Sequence, residues 1–360
     1  MPPPDCQPRG PVRSRLTPVL VSALVLAALC PACSAPLVPV FAVSGDAPSR
    51  TGLTPLGDGA VFGNDAGRVI RLDAAGRVVW TVETGAEIEL PLVVSEDGVV
   101  GAVSGGETLV ALDAATGHER WRAGGQPPAA GLAAVGKRLL LLAKEGELRS
   151  FPAASGGLPA RRGWNASLGL RGRAPPRGLL ALEHGVLAIG PAAVLLLSAD
   201  DGALRWKASA RDPTGAVLEG DALWIAEQSG RLLVLDPRTG AQRRVVALGQ
   251  RVVSPPSAAL GRVWVGLEDS SLLGEDVHGT QPRWRASLPA LLIGGVAEWQ
   301  DRVLVPTADR EGRLLAIDLA RPGSPATARV DSALRTRPLV RGSVAWVLAN
   351  DGRVLGFRFR

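Results

Sequence analysis

The side chains that most often carry catalytic or metal chemistry are few in this sequence, and they form no recognisable set. The three histidines each lie in a different predicted turn, without the spacing typical of zinc ligands: His118, His184 and His278. The acidic stretches SEDG (95–98) and ADDG (199–202) also lie in predicted turns. Nucleophile elbows, HExxH pairs, phosphate-binding loops and EF-hand loops do not occur in the sequence. The sequence therefore predicts no catalytic site, no metal site and no cofactor.

The charge composition argues against nucleic acid as a partner. Lys and Arg together number 40 against 34 Asp and Glu, which gives a formal net charge of +6 at pH 7. The basic residues are scattered among acidic ones, and no Lys/Arg run forms a basic stripe.

Residues 1–35 have the order of a secretory signal peptide. Three arginines precede an uncharged run at 16–29, and small residues follow it. This run is too short to cross a bilayer as a helix, which takes about 20 residues. All three cysteines fall in the same segment: Cys6, Cys30 and Cys33. The exported body at 36–360 would therefore have no disulfide.

Cys33 has part of the context of a lipidation site. The preceding alanine and Cys33 form the ending of a bacterial lipobox, although Cys30 and Pro31 replace the residues usual before it. The alternative is ordinary cleavage near Ser34 or Ala35, which would discard Cys33. We favour lipidation of Cys33, and hence a membrane anchor.

An internal repeat organises the rest of the chain. A strand-like run, an Asp, a turn with Gly and a second run ending in Trp recur, as in GRVIRLDAAGRVVW (67–80) and ETLVALDAATGHERW (107–121). The tryptophans Trp80, Trp121, Trp164 and Trp206 are separated by 41, 43 and 42 residues. Alternating apolar residues and short Gly/Asp turns indicate strands rather than helices.

The repeat length predicts the fold. Four strands in a period of about 41 residues are typical of a β-propeller. Residues 36–360 accommodate eight such periods, so we predict an all-β, eight-bladed propeller of four-stranded antiparallel blades. The last period supplies three strands only, and the N-terminal stretch at 37–45 is a spare strand. Pairing of this strand with 352–359 would close the ring and remove two exposed edges.

The Asp, Gly and Trp of the repeat have structural explanations. Gly117, Gly202 and Gly240 fall where a hairpin needs a left-handed residue. Asp113 and the equivalent aspartates can accept hydrogen bonds from their own turns. The tryptophans are expected to pack between neighbouring blades, each burying about 150–250 Å².

The repeat resembles that of pyrroloquinoline-quinone dehydrogenases and their non-enzymatic relatives. Within that superfamily the body of the chain resembles the BamB family, lipoproteins of the outer-membrane β-barrel assembly machinery. The closing DGRVLGFRFR (351–360) is similar to the family's DGxVYxF ending, and SLGLRGRAPP (167–176) is similar to its LxLRGxSAP stretch. The size, the blade number and an export signal that ends near a cysteine agree with this resemblance.

The resemblance implies a partner-binding set. In BamB proteins the leucines and arginine of this stretch, with aspartates of a nearby loop, contact the barrel-forming subunit BamA. By position these are Leu168, Leu170 and Arg171, and Asp212 in ARDPTG (210–215) matches the last aspartate. This loop is shorter than usual and lacks the second aspartate. We expect an exposed leucine pair and a directional arginine donor; alternatively, the leucines pack into a blade core and Arg171 pairs with Asp212.

Two classes of function follow. The resemblance implies a non-catalytic scaffold on the periplasmic face of the outer membrane, lipid-anchored, which binds a BamA-type subunit and also unfolded outer-membrane proteins. The alternative is an exported propeller that binds a small ligand or another protein partner. A quinoprotein enzyme is less favoured, because the body lacks adjacent cysteines and inner strands such as PSAALG (256–261) carry few titratable groups.

Overall fold

The computed structural model describes residues 36–155, 163–170, 175–183 and 185–359. Within these ranges the chain consists of strands and turns without a helix. Accordingly, the described part of the chain contains no helix able to cross a membrane. The predicted signal peptide (1–35) with Cys33, and also Arg171, lie outside the described residues.

The strands form eight four-stranded antiparallel sheets, which are the eight predicted blades of a propeller. Blades 1 to 4 consist of Thr54–Leu56, Gly59–Gly63, Arg68–Leu72 and Val78–Glu83; Val93–Val94, Val99–Ser104, Thr108–Asp113 and Glu119–Ala123; Ala129–Val135, Arg138–Ala143, Glu147–Pro152 and Asn165–Ser167; and Gly178–Leu182, Gly185–Ile189, Ala193–Leu197 and Leu204–Ser209. Blades 5 to 8 consist of Pro213–Glu219, Ala222–Glu227, Arg231–Leu235 and Gln242–Ala247; Ser257–Ala259, Arg262–Gly266, Ser271–Asp276 and Trp284–Ser287; Ala297–Trp299, Arg302–Pro306, Arg313–Asp318 and Ala326–Arg329; and Leu339–Arg341, Val344–Leu348, Arg353–Phe359 and Leu37–Ser44.

Burial follows the position of a strand within its blade. The second strands are buried almost throughout, and Gly59–Gly63 and Ala222–Glu227 along their whole length, because neighbouring blades cover both of their faces. The fourth strands, such as Val78–Glu83, alternate between exposed and half-buried residues. Eight apolar clusters lie between adjacent blades, one for each interface around the ring. The core is therefore a ring of interfaces rather than a single central mass.

The predicted ring closure is confirmed. Leu37–Ser44 pairs antiparallel with Arg353–Phe359, from Leu37 opposite Phe359 to Ser44 opposite Arg353, with an irregularity at Pro39. The N-terminal strand is thus the outer strand of blade 8, and it covers an edge that would otherwise be open.

The antiparallel order gives the ring two edges with different connections. Turns within the first and last strand pairs of each blade lie on one edge, which we call the turn rim; 73–76 and 113–117 are examples. Turns between second and third strands and the connections between blades lie on the other edge, which we call the loop rim; 144–146 and 210–212 are examples.

The aspartates of the repeat organise the turn rim as predicted. The Oδ1 atom of Asp113 accepts the backbone N–H groups of Ala115 and Thr116, at 3.0 and 2.9 Å. The Oδ1 atom of Asp236 likewise accepts the backbone N–H groups of Arg238 and Thr239, at 2.8 and 3.1 Å. Each carboxylate therefore fixes its own turn.

Each turn receives a side chain from the blade before it. The indole Nε1–H groups of Trp80, Trp121, Trp164, Trp206 and Trp284 donate to the carbonyls of Ala114, Ala153, Ala199, Pro237 and Leu319, at 3.2, 2.7, 3.0, 3.0 and 3.3 Å. Gly240 has φ 72°, and a Cβ atom built there would lie 2.6 Å from the ring of Trp206. Glycine is thus needed both for the left-handed backbone and for the close approach of the indole.

Candidate functional site

Leu168 and Leu170 lie in the connection from blade 3 to blade 4, on the loop rim. Their exposed fractions are 7% and 5%, and both belong to the apolar cluster between these blades. The expectation of an exposed leucine pair is therefore wrong. The alternative, in which the leucines pack into the core, describes the structure.

Two glycine turns make room for these leucines. The Leu168 N–H donates to the Gly146 carbonyl at 2.9 Å, and a Cβ atom built on Gly146 would lie 3.1 Å from the Leu170 Cβ atom. A Cβ atom built on Gly190 would overlap the Leu170 Cδ2 atom. Because these turns belong to blades 3 and 4, the burial of Leu170 depends on residues distant in sequence.

Asp212 lies on the neighbouring connection, from blade 4 to blade 5, and is exposed. Its backbone has φ 45°, a left-handed value that aspartate tolerates better than most residues. The Asp212 N–H donates to the Pro191 carbonyl at 2.8 Å, and its carbonyl accepts the Gln228 N–H at 3.0 Å. These two hydrogen bonds fix the backbone of Asp212 and involve only its backbone N–H and carbonyl groups, not its carboxylate.

The turn at 190–192 in blade 4 brings the predicted residues together. Leu170 packs on one side of it, against Gly190, and Asp212 is hydrogen-bonded to its other side through Pro191. Arg171 follows Leu170 directly but lies outside the described residues, so its predicted pairing with Asp212 stays a prediction.

A buried carboxylate that the sequence did not reveal supports this surface. Glu227 is 1% exposed; its Oε1 accepts the Arg211 N–H at 2.7 Å, and its Oε2 accepts the Ser229 hydroxyl at 3.3 Å. Oε2 also lies 3.4 Å from Nη1 of Arg231. An acidic residue at the end of the apolar strand ALWIAE (222–227) is the signal that could have identified it.

We call the residues around this turn the blade-4 surface: Arg177, Pro191, Ala192, Arg211 and Asp212. Arg177, Arg211 and Asp212 are exposed, and the Arg177 N–H donates to the Ile189 carbonyl at 2.7 Å. Two guanidinium groups and a carboxylate on a fixed backbone can form directional, charge-assisted hydrogen bonds with a partner.

The described residues offer no comparable arrangement for metal chemistry. Within 36–155, 163–170, 175–183 and 185–359, no three His, Cys, Asp or Glu side chains are grouped so that they could hold a metal ion. The strongest pKa shifts occur instead at the repeat aspartates. Hydrogen bonding from Arg120 and Thr116 holds the pKa of Asp113 well below its usual range. These groups organise turns.

Comparison with known proteins places this architecture in a family. A family model described as outer membrane protein assembly factor BamB matches residues 42–167 and 190–321. A protein named outer membrane protein assembly factor BamB from Pseudomonas aeruginosa is 28% identical over 151 residues, which are 41% of this chain. The matched part spans 38% of that relative's length. The stretch with Leu168, Leu170 and Arg171 lies between the two matched segments.

Solved structures share the fold over almost the whole chain. BamB from Moraxella catarrhalis has a TM-score of 0.71 at 20% identity, covering 90% of this chain and 98% of that one. A quinohemoprotein alcohol dehydrogenase from Pseudomonas putida HK5 has a TM-score of 0.73 at 12% identity, covering 90% of this chain and 76% of that one. At these identities the likeness shows the fold alone. The family model, however, matches well over half of the sequence, and the chain therefore belongs to the BamB family of PQQ-like propellers.

Proposed function

We propose that this protein is a non-catalytic scaffold that assists the assembly of outer-membrane β-barrel proteins by binding a BamA-type subunit. The observation that carries the proposal is the match of the family model to residues 42–167 and 190–321. The relative from Pseudomonas aeruginosa bears the name of an outer membrane protein assembly factor. Unfolded outer-membrane proteins are further partners under this proposal.

The blade-4 surface is the part of the molecule that we propose contacts the subunit. Asp212 offers an exposed carboxylate on a backbone held by two hydrogen bonds; Arg211 precedes it in the sequence, and the exposed Arg177 lies on the neighbouring connection. Since Leu168 and Leu170 are buried, their contribution is to hold the connection between the blades in place. The direct contacts then belong to Arg171 and Asp212 rather than to the leucines.

The proposed location is the periplasmic face of the outer membrane. Residues 1–35 would direct export, and lipid on Cys33 would anchor the protein. A single acyl chain gives reversible membrane binding, whereas additional chains hold a protein firmly.

The test is co-purification of the tagged full-length protein from its native membranes. We compare the wild type with Arg171→Glu and with Asp212→Asn, which removes the charge but keeps a residue that tolerates φ 45°. Substitution of Leu168 or Leu170 would confound binding with folding because both are buried. Asp58→Asn is the matched control, since Asp58 is an exposed turn-rim aspartate.

The scaffold proposal expects a BamA-type subunit with the wild type and with Asp58→Asn, and less of it with Arg171→Glu and Asp212→Asn. Retention in all four samples would place the contact elsewhere. Absence of the subunit from all four would refute the scaffold proposal. A cofactor absorbance in the purified protein would instead favour the alternative, a ligand-binding propeller related to the quinohemoprotein dehydrogenases.

A further inference from the structure

Blade 8 differs from the others at the turn rim. In blades 1 to 7 a chain segment joins the third strand to the fourth, whereas in blade 8 the third strand, Arg353–Phe359, and the fourth, Leu37–Ser44, come from opposite ends of the described chain. Leu37 and Phe359 are paired at this rim. Within the described residues, no turn joins these two strands as it does in the other blades.

A cavity of about 300 Å³ lies at this place. It is lined by Val38, Trp299, Gln300, Ser343, Arg358 and Phe359. The rings of Trp299 and Phe359 are stacked, with centroids 4.4 Å apart and an interplanar angle of 17°. The Arg302 guanidinium lies over the Phe359 ring, at 4.2 Å from its centroid. We call this place the seam cavity.

The described lining of the seam cavity includes a cation, Arg358, and no carboxylate. On the turn rim of other blades, arginines form ion pairs with aspartates at the turn between the third and fourth strands: Arg77 with Asp73, Arg120 with Asp113, Arg243 with Asp236 and Arg321 with Asp318. The described residues of blade 8 include no such turn and no such aspartate. Arg358 is exposed, and no carboxylate among the described residues forms an ion pair with it. Among the described lining residues, Gln300 and Ser343 add hydrogen-bond donors.

The backbone of Gln300 provides a second, independent observation. Gln300 has φ 58° at the turn between first and second strands. At the equivalent turn the blades 1, 3, 5 and 8 have glycine with a similar φ (Gly57, Gly136, Gly220 and Gly342), and blade 6 has Leu260 with φ 51°. A non-glycine residue in this conformation is strained. Gln300 therefore lines the cavity from a backbone conformation that costs free energy.

We propose that the seam cavity binds the phosphate headgroup of an anionic phospholipid. The Arg358 guanidinium, with Gln300 and Ser343, would hold the phosphate, and Val38 of the outer strand lines the same cavity. A lipid source for the phosphate rests on the proposed lipid anchor: Leu37, at this rim, follows Cys33 by four residues in the sequence.

The test is calorimetric titration of the full-length protein, in nonionic detergent, with mixed micelles of that detergent. The micelles contain either phosphatidylglycerol or phosphatidylcholine at the same mole fraction. We expect phosphatidylglycerol to bind more tightly. Loss of a charge-assisted hydrogen bond in Arg358→Gln is expected to weaken that binding by about tenfold or more. Arg77→Gln, which changes a paired arginine on the same rim, should bind like the wild type.

The variant Gln300→Gly distinguishes a loss of lipid binding from a loss of folding. It relieves the strained backbone, so the variant should unfold at the same temperature as the wild type or higher, yet bind phosphatidylglycerol more weakly. Equal binding of the two lipids would overturn the proposal. So would an equal loss in Arg358→Gln and Arg77→Gln, which would indicate nonspecific attraction by the rim. Inorganic phosphate that displaces phosphatidylglycerol at comparable concentration would refute the lipid assignment. No BamA-type subunit is present, so these outcomes are independent of the co-purification.

Discussion

At the two interfaces of blade 5, different side chains pack against the turn of the following blade. On the side of blade 4, the Trp206 indole donates to the Pro237 carbonyl at 3.0 Å. On the side of blade 6, Arg244 of the outer strand of blade 5 takes the equivalent position. Its Nη2 atom donates to the carbonyls of Asp276 and Val277, both at 3.3 Å. The backbone arrangement is the same, while the side chain is aromatic in one case and cationic in the other.

This contrast indicates which property of the repeat matters. Indole and guanidinium are both planar, and both offer an N–H donor to the carbonyls of the next turn. The Arg244 guanidinium also lies over the ring of Trp224, at 5.0 Å from its centroid. In both interfaces glycine lies under the plane, Gly240 in one and Gly279 in the other. The position thus takes a planar side chain over a glycine, as Phe41 over Gly76 does between blades 8 and 1, and indole and guanidinium add an N–H donor.

Trp206→Ala should have the largest effect on stability. The side chain is 7% exposed, and its removal leaves a cavity between blades 4 and 5 together with an unpaired carbonyl at Pro237. Truncation of a buried tryptophan costs about 3–5 kcal/mol of the free energy of unfolding. Urea denaturation measures the loss. Leu204→Ala is the control on the same strand, since Leu204 is 55% exposed and should change stability little. Equal losses would show that the indole does not seal the interface.

Gly240→Ala should have the next largest effect. The left-handed backbone alone costs alanine about 1–2 kcal/mol, and the new methyl group would lie 2.6 Å from the Trp206 ring. Gly220→Ala isolates the backbone contribution, because Gly220 has φ 58° and a Cβ atom added there would have no neighbouring atom within 4 Å. The same denaturation experiment should show a clearly larger loss for Gly240→Ala. Identical losses in the free energy of unfolding would mean that the Trp206 indole can move aside for the new methyl group without destabilising the protein.

The repeat made most of the fold predictable, because its information is local. Asp113 bonds its own turn, Gly117 turns left-handed, and the missing fourth strand of the last period identified the closing strand at 37–45. The candidate site was less predictable. Whether Leu170 is exposed depends on Gly146 and Gly190, which lie in the turns of two different blades. No local pattern at 167–176 records those contacts.

The departures from the repeat could not be predicted from the sequence either, because they too depend on contacts between blades. Arg244 breaks the tryptophan spacing, and only its contacts with blade 6 show that it fills the same position. Arg358 has no ion-pair partner among the described residues because its strand pairs with Leu37–Ser44 from the other end of the described chain. That pairing, and not a local motif around Arg358, shows the difference from the other blades.

Arg244→Ala should cost less than Trp206→Ala. Arg244 is half-buried, and its loss removes a cation–π contact and two long hydrogen bonds. Such contacts together contribute about 1–2 kcal/mol. Urea denaturation beside Trp206→Ala tests the ranking. Arg244→Trp should recover the loss, since Gly279 leaves room for a planar ring. A failure of tryptophan to recover it would show that the two interfaces are not equivalent.

The smallest effect concerns the turn that Trp206 covers, and it depends on pH. Hydrogen bonding from Arg243 and from the Arg238 N–H lowers the pKa of Asp236 to about 2. In the unfolded chain its pKa is about 3.9. The folded pKa is the lower one, so this stabilisation is present above about pH 4 and is lost as pH falls toward 2. Asparagine can still accept the turn's N–H groups, so Asp236→Asn removes the titration and keeps the turn. The melting temperatures of wild type and variant should therefore differ at pH 5 and converge as pH falls toward 2. A constant difference would show that the Arg243 contact does not couple protonation to folding.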